Sequence, residues 1–281
     1  MRYIKRGLPL SNKLTYRNFI HHYCTVVDTH FGEKIVGNKP NIGEFRKKLE
    51  PVMLRRTKSE VLSDLPPLRI SNIYVDAAKG DAATLAELQN FVAEHDVEEL
   101  FQNGTFNNLV DGPLPTIRRL TEKLKIPGVV EIVKTDLQSG VDKLIIFATH
   151  IDSTDALRNG LSDYDPVHIT GSVSQKNREA AIDAFHNGDA RIFIGQITAA
   201  GVGLTLHAHG KCSDIIFTSL DFVPATNAQA AQRIHRIGQP NSALCRIATL
   251  AGSIDENVTE ILIRKIEMIN DIIEMDASHA A

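Results

Sequence analysis

The run Gln229-Ala-Ala-Gln-Arg-Ile-His-Arg-Ile-Gly-Gln239 constrains this chain more than any other stretch. Asn227 is a candidate N-cap, Gly238 stands where a left-handed stop is wanted and Pro240 follows, so the spacing predicts one short helix with both ends marked. On such a helix Gln229, Gln232, Arg233 and Arg236 fall at i, i+3, i+4 and i+7, which puts two amides and two guanidiniums on one face. A face of that kind grips an anion. Taken alone the two arginines are better read as a solvated basic helix, because charged side chains are mostly surface residues. Their company argues otherwise: Ile192-Phe-Ile194 has the pattern of a short buried strand, Thr198-Ala-Ala-Gly-Val-Gly203 follows, and Asp214-Ile-Ile-Phe-Thr218 is a second strand. Two strands with a glycine-bearing connection, leading into an arginine helix, imply an α/β sheet with its ligand at the strand ends.

The chain has 281 residues, 43% of them hydrophobic, enough to bury a core as one large or two modest domains. A formal net charge of −3 argues against coating nucleic acid by bulk electrostatics, so any DNA contact is local. Cys24, Cys212 and Cys245 are odd in number and far apart, which indicates neither a disulfide framework nor a zinc site. With no signal peptide at Met1 and no apolar run long enough to cross a bilayer, an intracellular soluble protein with no membrane partner is expected.

Along the chain, Leu14 to Leu49 reads as helical pieces joined by loops, and its histidines, His21 and His22 being adjacent, as packing or surface residues and not metal ligands. Ile70 to Val75 reads as a strand. Ala82 to Leu100 has helical composition, with Leu85, Leu88, Phe91 and Val92 on one stripe. Asn103 to Pro115 reads as a loop. Thr116 to Ser139 is a helix interrupted at Pro127-Gly128; its cations Arg118, Arg119, Lys123 and Lys125 form either a phosphate-facing patch or solvated charge. A βαβ alternation follows: strands at Lys143–Ala148, Val167–Ile169, Arg191–Ile194 and Asp214–Thr218, helices at Asp155–Leu161 and Gln175–His186, and a last strand at Cys245–Leu250. Ile254 to Met275 is an amphipathic brace helix capped by Ser253.

Four of these segments, Leu144-Ile-Ile-Phe147, Ile169-Thr-Gly-Ser172, Ile197-Thr-Ala-Ala-Gly-Val-Gly-Leu-Thr205 and Gln229 to Gln239, resemble in order the second recombinase-A-like lobe of Swi/Snf-type DNA-dependent ATPases. Within that family they are most similar to the annealing-helicase branch, and they cover roughly Val141 to Pro240. Gly7-Leu-Pro-Leu-Ser-Asn12 is similar to the segment closing the family's first lobe, with Leu8 where threonine is expected. Glu50-Pro-Val-Met-Leu-Arg-Arg-Thr-Lys58, followed by a Leu-Pro at Leu65-Pro66, is similar to the segment crossing between lobes.

The resemblance implies an α/β fold: a recombinase-A-like lobe with a parallel sheet flanked by helices, plus an N-terminal mainly helical segment. It divides the chain into 1–68, the end of a first lobe with its helical protrusion and the inter-lobe crossing, and 69–281, the C-terminal lobe, with a helical insertion at about 81–139 and a brace at 254–275. It implies ATP with Mg2+ as cofactor, bound by Gly201, Gly203, Gln229, Arg233 and Arg236, with Arg233 and Arg236 as catalytic arginine fingers. It further implies DNA-backbone contacts from Thr170, Gly171, Ser172 and Thr198, where Thr170 replaces the usual aspartate, and inter-lobe contacts from Arg55, Arg56 and Lys58. Double-stranded or forked DNA is the implied partner, DNA repair or remodelling the setting, and the cytoplasm of a prokaryote or host cell, or a nucleus, the location.

A guanidinium suits the finger role because it keeps its charge and forks two donors onto phosphoryl oxygens. The complementary parts are not in the sequence: no G-x-x-x-x-G-K-[ST] occurs, Gly210-Lys211 being followed by Cys212, and no Asp-Glu-x-His follows a strand, Asp255-Glu256 opening a helix instead. Hydrolysis is therefore expected only with a separate Walker-motif ATPase lobe. A non-catalytic DNA- or protein-binding module derived from that lobe, and a decayed gene product, are the alternatives.

Overall fold

In the computed structural model the residues described are 16–29, 32–38, 44, 64–77, 81–94, 112–200, 204–260 and 262–263. The chain divides into two compact units, Met1–Val61 and Leu62–Ala281. In the first, helix α1 (Tyr16–Tyr23) runs into strands β1 (Cys24–Thr29) and β2 (Gly32–Asn38), which pair antiparallel with a register shift at Thr25/Val26. The expectation of helical pieces without strands over 14–49 is corrected here. Thr25-Val-Val27 and Ile35-Val36 are β-branched runs, and side chains of that kind fit a pleated ribbon better than a helix.

The second unit is built on a sheet of six parallel strands in the order β3-β8-β7-β4-β6-β5, where β3 is Leu68–Val75, β4 Lys143–Ala148, β5 Val167–Ile169, β6 Ile192–Gln196, β7 Cys212–Phe217 and β8 Ala243–Leu250. Every residue of β4 is buried, as a central parallel strand covered on both faces requires. Helices α2 (Ala82–Glu94), α3 (Leu114–Gln138), α4 (Ile151–Gly160), α5 (Gln175–His186), α6 (Ile197–Ala200) and α7 (Pro224–Ala231) connect the strands. The layers enclose two hydrophobic clusters: Ile145, Phe147, Phe193, Ile215 and Phe217 belong to one, Leu144, Ile146, Ile192, Ile194 and Ile216 to the other. Alternate residues of the same strands feed the two clusters, the period-two signature of a sheet covered on both sides.

α3 runs unbroken through Pro127. The expected interruption is absent because Ile126, Val129, Val130 and Val133 on either side of it are buried, and that packing outweighs the lost hydrogen bond. Gly128 has a role of its own: a Cβ there would lie 3.0 Å from Val75 Cβ, so glycine lets the helix close on β3. Of the brace at 254–275, residues from 264 onward lie outside those described, as do all of 95–111.

Candidate nucleotide and DNA face

The arginine run is not one helix. α7 ends at Ala231, and the chain continues in tight turns, with Arg233 N–H donating to Ala230 O at 3.0 Å and Gln239 N–H to Arg236 O at 3.0 Å. The shared helical face of Gln229, Gln232, Arg233 and Arg236 is corrected accordingly, and so is the cap. Val223 caps α7, while Asn227 is buried within it, accepting from Asp221 N–H at 2.7 Å and donating to Asp221 O at 2.8 Å. Tertiary ties account for the early stop. Leu206 N–H donates to Arg233 O at 3.1 Å, His235 Nε2 meets Pro66 O at 2.7 Å, and Gln239 Nε2 donates to Cys212 O at 2.7 Å. Each pulls a residue of the run to a different neighbour, which a regular helix does not allow. Gly238 sits at φ +91°, the positive-φ turn read from the sequence.

Arg233 and Arg236 nonetheless converge on one segment, the one that follows Gly203. Arg233 Nη1 donates to Leu204 O at 3.0 Å and Arg236 Nη1 to Thr205 Oγ1 at 2.7 Å. Their exposure differs: Arg233 is 6% exposed, whereas Arg236 is half-buried. Burial, and secondarily the charge of Arg236, pushes the Arg233 guanidinium below the usual arginine value, though arginine does not discharge in proteins. Arg236 spends one of five N–H donors on Thr205 in the bonds described, and its remaining donors suit phosphoryl oxygens. Gln229 is exposed on α7, and Gly201 and Gly203 lie outside the described residues. Arg55, Arg56 and Lys58 do too.

At the carboxyl ends of β5 and β6 lie the other residues singled out by sequence. Thr170 is buried and its hydroxyl is 3.0 Å from that of Ser172; Gly171, Ser172 and Thr198 are exposed. Two unforeseen side chains join these turns. Gln196 Oε1 accepts from Gly171 N–H at 3.3 Å, its Nε2 donates to Thr149 O at 3.3 Å, and Arg178 bonds to carbonyls in both turns. No sequence spacing reveals carbonyl acceptors supplied by other loops.

The cations of α3 are not a phosphate-facing patch. Arg118 Nη1 donates to Leu220 O at 3.0 Å and lies 3.9 Å from the Phe222 ring centroid; Arg119 pairs with Asp152 at 3.4 Å, Lys123 with Asp81 at 3.5 Å and Lys125 with Asp255 at 2.8 Å. Asp255, read as helix-terminal charge, accepts from Lys125 Nζ and from Leu250 N–H, the latter at 2.9 Å.

Between them on α3, Glu122 is fully buried and ringed by donors where β4 and β7 end. Thr149 N–H, Thr149 Oγ1, His150 N–H, Ser153 Oγ and Thr218 Oγ1 donate to it at 2.9, 2.9, 3.2, 3.0 and 2.6 Å, and His150 Nδ1 lies at 2.5 Å. Burial raises its pKa, but those bonds outweigh burial and lower it to about 2. The strand order changes direction here, β6 and β5 lying on one side of β4 and β7 and β8 on the other, and such a switch point ordinarily receives a ligand. In this lobe a carboxylate of its own fills it.

Among the described residues no group of three or more His, Cys, Asp or Glu is arranged to hold a metal ion, and no helix is long and apolar enough to cross a membrane. The donors on this face are guanidinium, amide and hydroxyl groups. Such donors have the chemistry that phosphate oxygens accept, whereas no carboxylate set matching magnesium occurs among the described residues.

Residues 125–238 match the helicase conserved C-terminal domain. The chain is 30% identical over 262 residues to mouse DNA annealing helicase and endonuclease ZRANB3, covering 90% of this chain and 24% of that protein. It is 28% identical over 258 residues to SWI/SNF-related matrix-associated actin-dependent regulator of chromatin subfamily A-like protein 1 of Xenopus tropicalis, covering 90% and 26% respectively. The chain thus spans about a quarter of the length of these curated relatives. Among solved structures it resembles the Sulfolobus solfataricus SWI2/SNF2 ATPase core in complex with dsDNA, with a TM-score of 0.53 at 22% identity over 92% of this chain and 56% of that one. It also resembles the C-terminal part of the Fun30 ATPase domain, with a TM-score of 0.53 at 18% identity over 75% of this chain and 99% of that one.

Proposed function

We propose that this chain is the C-terminal half of an ATP-dependent double-stranded-DNA translocase or annealing helicase; the match of residues 125–238 to the helicase conserved C-terminal domain and the likeness to a DNA annealing helicase support this reading. In this reading it acts with a lobe that carries the phosphate-binding loop and the magnesium carboxylate, located elsewhere in the same polypeptide or on another chain. That lobe seats the triphosphate. Arg236 supplies charge to the transferring phosphoryl group, and Arg233, bonded to Leu204 O, fixes the backbone from which Arg236 reaches. Gly171, Ser172 and Thr198 meet the phosphates of one DNA strand, which fixes position without reading bases.

The observation that carries this reading is the half-buried Arg236, anchored by one bond to Thr205 Oγ1. A finger must be held and yet keep donors to spare. The test mixes the chain with a Walker-motif lobe of the same family and measures phosphate release. Hydrolysis is expected only when both lobes and duplex DNA are present, and Arg236→Ala is expected to lower it by ~10³–10⁵. Hydrolysis by this chain alone, or full activity of the alanine variant, contradicts the reading. DNA binding that persists with no hydrolysis under any pairing favours a non-catalytic binding module.

A further inference from the structure

Arg178 stands four residues after Ser174, the N-cap of α5. Its guanidinium is spent on main-chain oxygens of two neighbouring turns. Nη2 donates to Thr170 O at 2.8 Å, Nε to Val173 O at 3.0 Å and Nη1 to Ala199 O at 3.0 Å. The first two acceptors bracket the turn after β5, and the third belongs to α6, the helix that carries Thr198. Gln196 adds a second tie through Gly171 N–H and Thr149 O. Two side chains thus cross-link the loops that follow β4, β5 and β6.

Only arginine does this with one residue, because its donors are fixed in a plane at three edges; a lysine ammonium is a point charge that cannot span three separated carbonyls. Among the described residues no carboxylate pairs with Arg178.

We propose that Arg178 is the positioning residue of the DNA-backbone surface, locking the Thr170–Val173 turn to α6 so that Gly171, Ser172 and Thr198 meet the phosphates as a preset array. The proposal rests on the reading of those three residues as DNA contacts. Order established before binding need not be imposed by the ligand, so affinity rises although Arg178 itself touches no phosphate.

The test is fluorescence anisotropy of a labelled short duplex with the full chain over a range of salt concentrations. Arg178→Gln is expected to raise Kd at least tenfold and to leave the slope of log K against log salt unchanged; a direct phosphate contact would instead reduce that slope by ~0.9. Amide exchange at Gly171, Ser172 and Thr198 is expected to speed up while that of β4 and β7 is unchanged. Arg178→Lys keeps the charge without the three-way fork and is expected to bind as weakly as the glutamine variant; it also carries the test if the glutamine variant does not fold. Wild-type Kd in either folded variant, or a slope lowered by about one ion, overturns the proposal. A Ser172→Ala, Thr198→Val double variant separates the two claims. Its weakened binding beside unaffected Arg178 variants sinks the positioning role alone, and its wild-type binding sinks the surface on which that role depends.

Discussion

Replacing Glu122 with glutamine tests how much the buried carboxylate contributes to this lobe. The pKa drop from the ordinary 4.5 to about 2 corresponds to about 3 kcal/mol of preference for the charged form in the folded state. Glutamine has nearly the same volume, but its amide nitrogen must face one of the donors now bonded to a carboxylate oxygen. Thr149 N–H and His150 N–H donate to different oxygens, at 2.9 and 3.2 Å, so either rotamer leaves one main-chain donor opposed. Glu122→Gln is therefore expected to destabilise the lobe by about 3 kcal/mol at pH 7. The chain has no tryptophan, so urea unfolding is followed by far-UV circular dichroism. The folded pKa is depressed, so this stabilisation is complete above about 4.5 and is lost as pH falls toward about 2. At pH 3 the gap between wild type and variant is expected to shrink by roughly 2 kcal/mol, whatever other carboxylates do to both proteins. A gap under about 0.5 kcal/mol at pH 7, or one that is the same size at pH 3, would refute the reasoning.

Lys125→Ala leaves Asp255, whose side chain is 2% exposed, without its ammonium, and is expected to cost about 3–5 kcal/mol in urea unfolding, while Lys125→Met with Asp255→Asn, which keeps an acceptor for Leu250 N–H, recovers part of that loss. Gly238→Ala forces a Cβ onto a backbone at φ +91° and is expected to lower stability by about 1–3 kcal/mol, read from the thermal midpoint. Cys24, Cys212 and Cys245 are all buried, and burial pushes the Cys245 thiol up to about 12 and Cys212 higher still. A thiol reagent at pH 8 is expected to leave the native protein unlabelled and to count three cysteines in urea.

The sheet was legible because its strands are short, apolar and buried on both faces: β4 and β5 have the bounds expected of them, Lys143–Ala148 and Val167–Ile169, and α5 has those of Gln175–His186. Where the reading failed, long-range contacts overrode local pattern. The periodicity of Gln229 to Arg236 is helical, but bonds to Leu206, Pro66 and Cys212 unwind it into turns. Pro127-Gly128 has the composition of a break, yet burial on both sides of it carries α3 through. Sequence left the cations of α3 open between a phosphate-facing patch and solvated charge; Arg119 and Lys123 are exposed, and the partners that settle the rest, Asp255 and Leu220 O, are distant in sequence. Arg178 and Glu122 were missed for the same reason. Motif order singled out Arg233 and Arg236, but their bonds to Leu204 O and Thr205 Oγ1, and the turns that make those bonds, come from the tertiary fold.

The place of β3 at the margin of the sheet bears on how the chain is synthesised. Its strand neighbour in the sheet is β8, which leaves the ribosome about 170 residues later. At ~5–20 residues per second, β3 waits roughly 8–34 seconds with its hydrogen-bonding groups unmatched. Ile70 and Tyr74, 50% and 62% exposed even in the finished fold, would make such a ribbon adhesive; Arg69, Ser71 and Asn72 between them blunt it. Nascent chains stalled before residue 243 therefore carry β3 without the strand that pairs with it.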